Sequence, residues 1–68
     1  MTAVGQALEE LEQRITNALG ERGMSQFFRD TGVSRSSWYR WKKGEAIPNL
    51  KTWLECQEAV KVIEKEAS

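Results

Sequence analysis

Four of the chain's five glycines, at positions 20, 23, 32 and 44, divide it into short pieces. No piece alternates apolar and polar residues in the way a half-buried strand requires. The only proline, Pro48, falls between the last glycine and the final segment. With 68 residues in all, such pieces can build one small domain and little else, because a chain of about 60 residues buries only about 60% of the surface it exposes when unfolded. A single domain over residues 1–68 is expected.

Residues 3–19 carry Val4, Leu8, Leu11, Ile15, Ala18 and Leu19 at helical spacing. They predict a helix with one apolar face, stopped by Gly20 in a left-handed conformation. Glu9, Glu10, Glu12 and Gln13 fall on the opposite, solvated face. A second, short helix is expected over about 24–31, capped by Gly23 or Ser25, with Phe27, Phe28 and Thr31 on its inner edge and Gly32 at its end. Ser34 is placed to cap a third helix running to about Lys43, where Gly44 stops it. Trp38 and Trp41, three residues apart, mark its inner face. After the loop Glu45–Pro48, Asn49 caps a longer last helix over about 50–66, with Leu50, Trp53, Leu54, Val60 and Ile63 as its apolar positions. The expected fold is all-α: a compact bundle of four to five helices with a longer C-terminal helix.

Composition excludes several chemistries. With no histidine and one cysteine, Cys56, neither an internal disulfide nor a structural zinc site is expected. Histidine-based acid–base catalysis is also excluded. Glu9 and Glu10 have no water-activating partners in the sequence and read as solvated surface. No enzymatic activity, cofactor, metal or small-molecule substrate is expected. The longest apolar run is two residues, as at Phe27-Phe28, far short of the about 20 that a membrane span needs. The start, Met1-Thr2-Ala3-Val4, does not read as a signal peptide. A cytoplasmic location is the expectation.

Net charge is zero, but its distribution is not uniform. Residues 1–21 set Arg14 against Glu9, Glu10, Glu12 and Glu21, a net of −3. Residues 22–51 set Arg22, Arg29, Arg35, Arg40, Lys42, Lys43 and Lys51 against Asp30 and Glu45, a net of +5. Residues 52–68 set Lys61 and Lys65 against Glu55, Glu58, Glu64 and Glu66, a net of −2. A basic middle between acidic ends is where a polyanion would dock.

Two short helices joined at Gly32, the second capped by Ser34 and rich in basic residues, describe a helix-turn-helix over about 24–43. At the corner, Val33 points inward, and Trp38 and Trp41 turn the inner face of the third helix to the core, leaving its other faces to enter a major groove.

The tract Gly32-Val33-Ser34-Arg35-Ser36-Ser37-Trp38-Tyr39-Arg40-Trp41-Lys42-Lys43-Gly44 resembles the turn and recognition helix of the phage repressor and Cro-type (lambda-repressor-like, or Xre-type) DNA-binding domains. Ile47-Pro48-Asn49-Leu50-Lys51-Thr52-Trp53-Leu54 resembles the loop and next helix of that family. The resemblance covers about residues 22–60. The sequence departs from the family at three positions: Met24 stands where the family often has Gln, Phe28 where it commonly has Ala, and Trp38 where it has a β-branched aliphatic. An aromatic core repacked around these residues is expected.

The resemblance implies a sequence-specific double-stranded DNA-binding regulator, repressor or Cro-like, of a phage, prophage or bacterium. It implies base contacts from Ser34, Arg35, Ser36 and Arg40, with Tyr39 on a thymine methyl or a phosphate. Lys42, Lys43 and Lys51 would hold the phosphate backbone, joined by Arg22 and the amide of Ser25 near a helix start. A homodimer would match a two-fold operator. Trp53, Val60 and Ile63, extending past what a small core needs, are the expected self-association face. An antitoxin, an accessory recombination protein or a protein–protein adaptor built on the same scaffold is the alternative.

Overall fold

A computed structural model describes residues 3–68, and among these the protein consists of four helices with no strand. They are α1 (Ala3–Leu19), α2 (Glu21–Thr31), α3 (Arg35–Lys43) and α4 (Leu50–Ala67). The last helix runs unbroken, so the expected range of four to five resolves to four. No helix among the described residues is long and apolar enough to cross a membrane.

α1 is the centre of the assembly and packs against each of the other three helices, while α2 also packs on α4. Its periodic apolar face does what the spacing predicts: Leu8, Leu11 and Ile15 are buried, with Val4, Ala18 and Leu19 at the margin. Met24 and Phe27 of α2, Trp38 of α3, and Cys56, Val60 and Ile63 of α4 complete the core. Phe28 and Trp41 are half-buried against it.

The caps of α3 and α4 and the stop at Gly32 hold as expected from the sequence. The Ser34 hydroxyl accepts from the Ser37 amide at 3.0 Å, and Asn49 Oδ1 accepts from the Thr52 amide at 2.8 Å. Each satisfies a donor that a helix start leaves open, at about 1 kcal/mol. Gly32 closes α2 at φ 72°, ψ 6°, its amide donating to the Phe28 carbonyl at 3.0 Å. That left-handed conformation is one a side chain resists. Thr31 braces the same corner: its hydroxyl donates to the Phe27 carbonyl at 2.8 Å and accepts from the Val33 amide at 3.3 Å.

The structure corrects the sequence reading in three places. First, α2 begins at Glu21, three residues earlier than expected, so neither Gly23 nor Ser25 is its cap. Gly20 serves both helices, ending α1 and preceding α2, at φ 67°, ψ −151°. Its φ is positive, but it is not the left-handed helical stop expected, because a one-residue connection must redirect the chain at once. Second, Gly23 lies inside α2 where that helix crosses α1. A Cβ added there would lie 2.9 Å from Ile15 Cγ2 and 3.0 Å from Leu19 Cβ. Third, Val60 and Ile63 are fully buried in the core of a single chain, so neither is available for self-association. α4 lies across α1 and α2, and these are the side chains it turns inward. Of the expected face, only Trp53 is partly exposed.

An ion pair and a hydrogen bond fasten α4 from outside. The Arg14 guanidinium donates to the Glu64 carboxylate, with Nε at 3.0 Å, and holds that carboxyl below its ordinary pKa, chiefly through this hydrogen bond. Gln26 Nε2 donates to Glu66 at 2.9 Å. Cys56 is buried, and desolvation, aided by the charge of Glu55, pushes its thiol up to about 11. It is a core residue and not a reactive one.

The crossing at Gly23 yields a prediction. Alanine raises intrinsic helix stability over glycine by about 1 kcal/mol, but overpacking a core typically costs about 1–3 kcal/mol. Gly23→Ala should therefore lower the thermal midpoint, read by circular dichroism. A rise would show that the α1–α2 contact has room to give.

Candidate nucleic-acid interface

The residues expected to touch DNA belong mostly to α3, whose nine residues are too few to hold a helix alone in water. Its position is set by what Trp38 touches. The indole is 2% exposed. It meets the Phe27 ring edge-on at 5.1 Å between centroids, the Phe28 ring at 6.0 Å and the Trp41 ring at 6.2 Å. Such edge-to-face pairs each add about 0.5–1.5 kcal/mol beyond the area they bury. The Trp38 Nε1–H, which an indole in a core must place somewhere, donates to Glu12 Oε1 at 3.2 Å. The other oxygen of Glu12 accepts from Lys42 Nζ at 2.8 Å. One carboxylate on α1 thus holds two residues of α3 one turn apart.

With Trp38 turned inward, Arg35, Ser36, Tyr39, Arg40 and Lys43 are all exposed on α3. The Arg35 guanidinium lies over the Phe28 ring, 4.8 Å from its centroid. This cation–π contact narrows the arc through which the side chain can swing and contributes about 0.5–1 kcal/mol at an exposed site. Tyr39 is 60% exposed, with Lys43 Nζ 5.2 Å and Lys42 Nζ 5.8 Å from its ring centre. Arg40 forms no ion pair among the described residues. Arg40, Lys42 and Lys43 share the last turn of α3, where the helix dipole favours cations.

Not every expected residue is equally free. The Ser34 hydroxyl caps α3 and donates to Ser37 Oγ at 3.0 Å, so both its capacities are engaged. Lys42 is paired with Glu12 and half-buried. Ser25 is the fifth residue of α2, so its amide is not among the four that a helix start leaves open. This overturns the phosphate role expected of that amide. The exposed side chain of Ser25 instead lines a cleft with Phe28, Arg35, Tyr39 and Lys42. Arg22 lines a different hollow, with Gln26, Arg29 and Glu66. Lys51 is exposed in the first turn of α4.

Two residues of this region escaped the sequence reading. Glu12 falls on a solvated acidic face by its spacing, and its role needs the fold, because its partners lie 26 and 30 residues away. Phe28 was read as core, yet one side of it forms the seat of Arg35. Among the described residues, no group of three His, Cys, Asp or Glu side chains is arranged to hold a metal ion.

No protein-family model, no curated protein and no solved structure matches the chain.

Removing the carboxylate tests how α3 is held. Glu12→Ala leaves the buried indole N–H of Trp38 without an acceptor, which typically costs about 1–3 kcal/mol. Urea unfolding followed by tryptophan fluorescence should show a loss in that range. In the Trp38→Phe background, which has no indole N–H, the same substitution should cost less. Equal costs in both backgrounds would show that the hydrogen bond carries no stability.

Proposed function

We propose that the chain is a sequence-specific double-stranded DNA-binding regulator. In this reading α2, the Gly32–Val33–Ser34 connection and α3 act as a helix-turn-helix, as in the phage repressor and Cro-type domains that the sequence resembles. The observation that carries the reading is the two-sidedness of α3: Trp38 is buried on one side, while Arg35, Ser36, Tyr39, Arg40 and Lys43 are exposed on the other. A major groove about 12 Å wide admits a helix with this arrangement. The net +5 of residues 22–51 suits a polyanion, and the acidic flanks disfavour binding in other orientations.

The roles follow from position and chemistry. Arg35, in the first turn of α3 and steadied by Phe28, is the base reader, through a bidentate contact to guanine O6 and N7. Ser36 and Arg40 add base contacts, and Tyr39 meets a thymine methyl or a phosphate. Lys43 holds the backbone and sets orientation. Lys42 acts through Glu12, keeping α3 in place, more than through phosphate. A dimer sets two α3 helices in successive major grooves about 34 Å apart and blocks access of polymerase to a promoter. The source is a bacterium or phage and the working compartment its cytoplasm.

The reading is tested by salt titration of binding to the DNA upstream of the chain's own gene, with a scrambled duplex as control. Tight binding to the first alone, weakening steeply with salt, is expected. No binding to any duplex at low salt would overturn the reading in favour of a protein–protein adaptor. Arg35→Ala should lose about 1–3 kcal/mol of discrimination at one base pair, read as relaxed preference there in a panel of single-base operator variants. Unchanged affinity and preference would remove Arg35 as a base reader. Lys43→Ala should weaken all sequences alike and reduce the salt slope by about 1.

A further inference from the structure

Burial of Val60 and Ile63 removes the self-association face expected from the sequence, but α4 carries another. Ile47 and Leu50 are each 72% exposed and Leu54 is 54% exposed. Leu50 and Leu54 stand one turn apart on α4, and the preceding loop adds Ile47. Val4, Ala7, Pro48 and Trp53 extend this surface as a shallow apolar hollow beside Ile47 and Leu50. At about 100° per residue, Leu50, Leu54, Lys51 and Glu55 lie within a single arc of about 140°. The core residues Cys56, Val60 and Ile63 occupy the opposite side of the helix. Isolated exposed leucines are ordinary, but a contiguous strip with an apolar hollow beside it marks a contact surface.

We propose that this strip is where two copies of the chain pair, with their α4 helices antiparallel about a two-fold axis at the level of residues 52–53 along the helix. A two-fold interface must be complementary to itself, and this segment is. Leu50 meets the partner's Leu54, and Leu54 meets the partner's Leu50. Lys51 faces the partner's Glu55, and Glu55 faces the partner's Lys51. The first pair is centred on residue 52 and the second on residue 53, which is a difference of about 1.5 Å along the helix. One axis therefore serves both pairs. Neither Lys51 nor Glu55 has an ion-pair partner among the described residues of its own chain. A reversed copy of α4 matches the leucines and both charges at once, which selects a second copy over an unrelated partner.

This pairing deepens the DNA-binding reading by naming the surface of its dimer, and it is tested without DNA, so the two fail separately. Sedimentation velocity of the full chain over a concentration series should show reversible dimerisation. Leu54→Glu and Leu50→Glu should each weaken association at least tenfold with helix content unchanged, since both side chains are exposed. Lys51→Glu and Glu55→Lys should each weaken it, and the double reversal should restore it. The proposal is overturned by a parent chain that stays monomeric throughout. It is equally overturned if both leucine variants remain dimers, or if the double reversal binds no better than the single ones.

Discussion

The orientation of α3 depends on the burial of one side chain, Trp38. A nine-residue helix has too few hydrogen bonds to offset its own nucleation, so it exists because it is packed. Trp38 supplies most of that packing, edge-on to Phe27 and Phe28, with its one polar atom satisfied by Glu12. A buried indole without such a partner would weaken the core it fills. Glu12 resolves this from α1, the helix that all the others touch. The direction in which α3 presents its remaining side chains is thereby fixed to the centre of the molecule.

This arrangement sorts the basic residues into two kinds. Lys42 is drawn inward by the carboxylate that serves Trp38, and becomes part of the support. Arg35, Arg40 and Lys43 remain outside. Arg35 is further steadied by Phe28, a residue that lies partly in the core and partly beneath the guanidinium. Such restraint leaves less side-chain freedom to be lost on contact with any ligand. The large ring at position 28 thus has a physical use: it fills the α2–α3 corner and forms a seat for the arginine.

The fold was legible at most places where the signal was local, the start of α2 being the exception. The apolar spacing of α1, the Ser34 and Asn49 caps and the stops at Gly32 and Gly44 all stand as expected, since each depends on residues within a turn or two of one another. Errors arose where a residue's role is set by a distant neighbour. Gly23 looks like punctuation, but it is the thin point that lets α2 approach Ile15. Glu12 looks like solvated charge until α3 is laid beside it. Val60 and Ile63 looked surplus because the area that α4 covers on α1 and α2 has no signature along the chain.

What the sequence determined by itself is the helical class, both ends of three of the four helices to within a residue, the basic middle and the side chains carried by α3. These follow from periodicity, capping and charge, which act over a few residues. What only the tertiary structure decided is which of those side chains are free. Packing places Glu12 under Trp38 and Lys42, slides Phe28 beneath Arg35, and turns Val60 and Ile63 inward while leaving Leu50 and Leu54 outside. The reason is geometric: the apolar positions of a helix name its buried face, but which neighbour covers them, and how far, depends on how the other helices cross it.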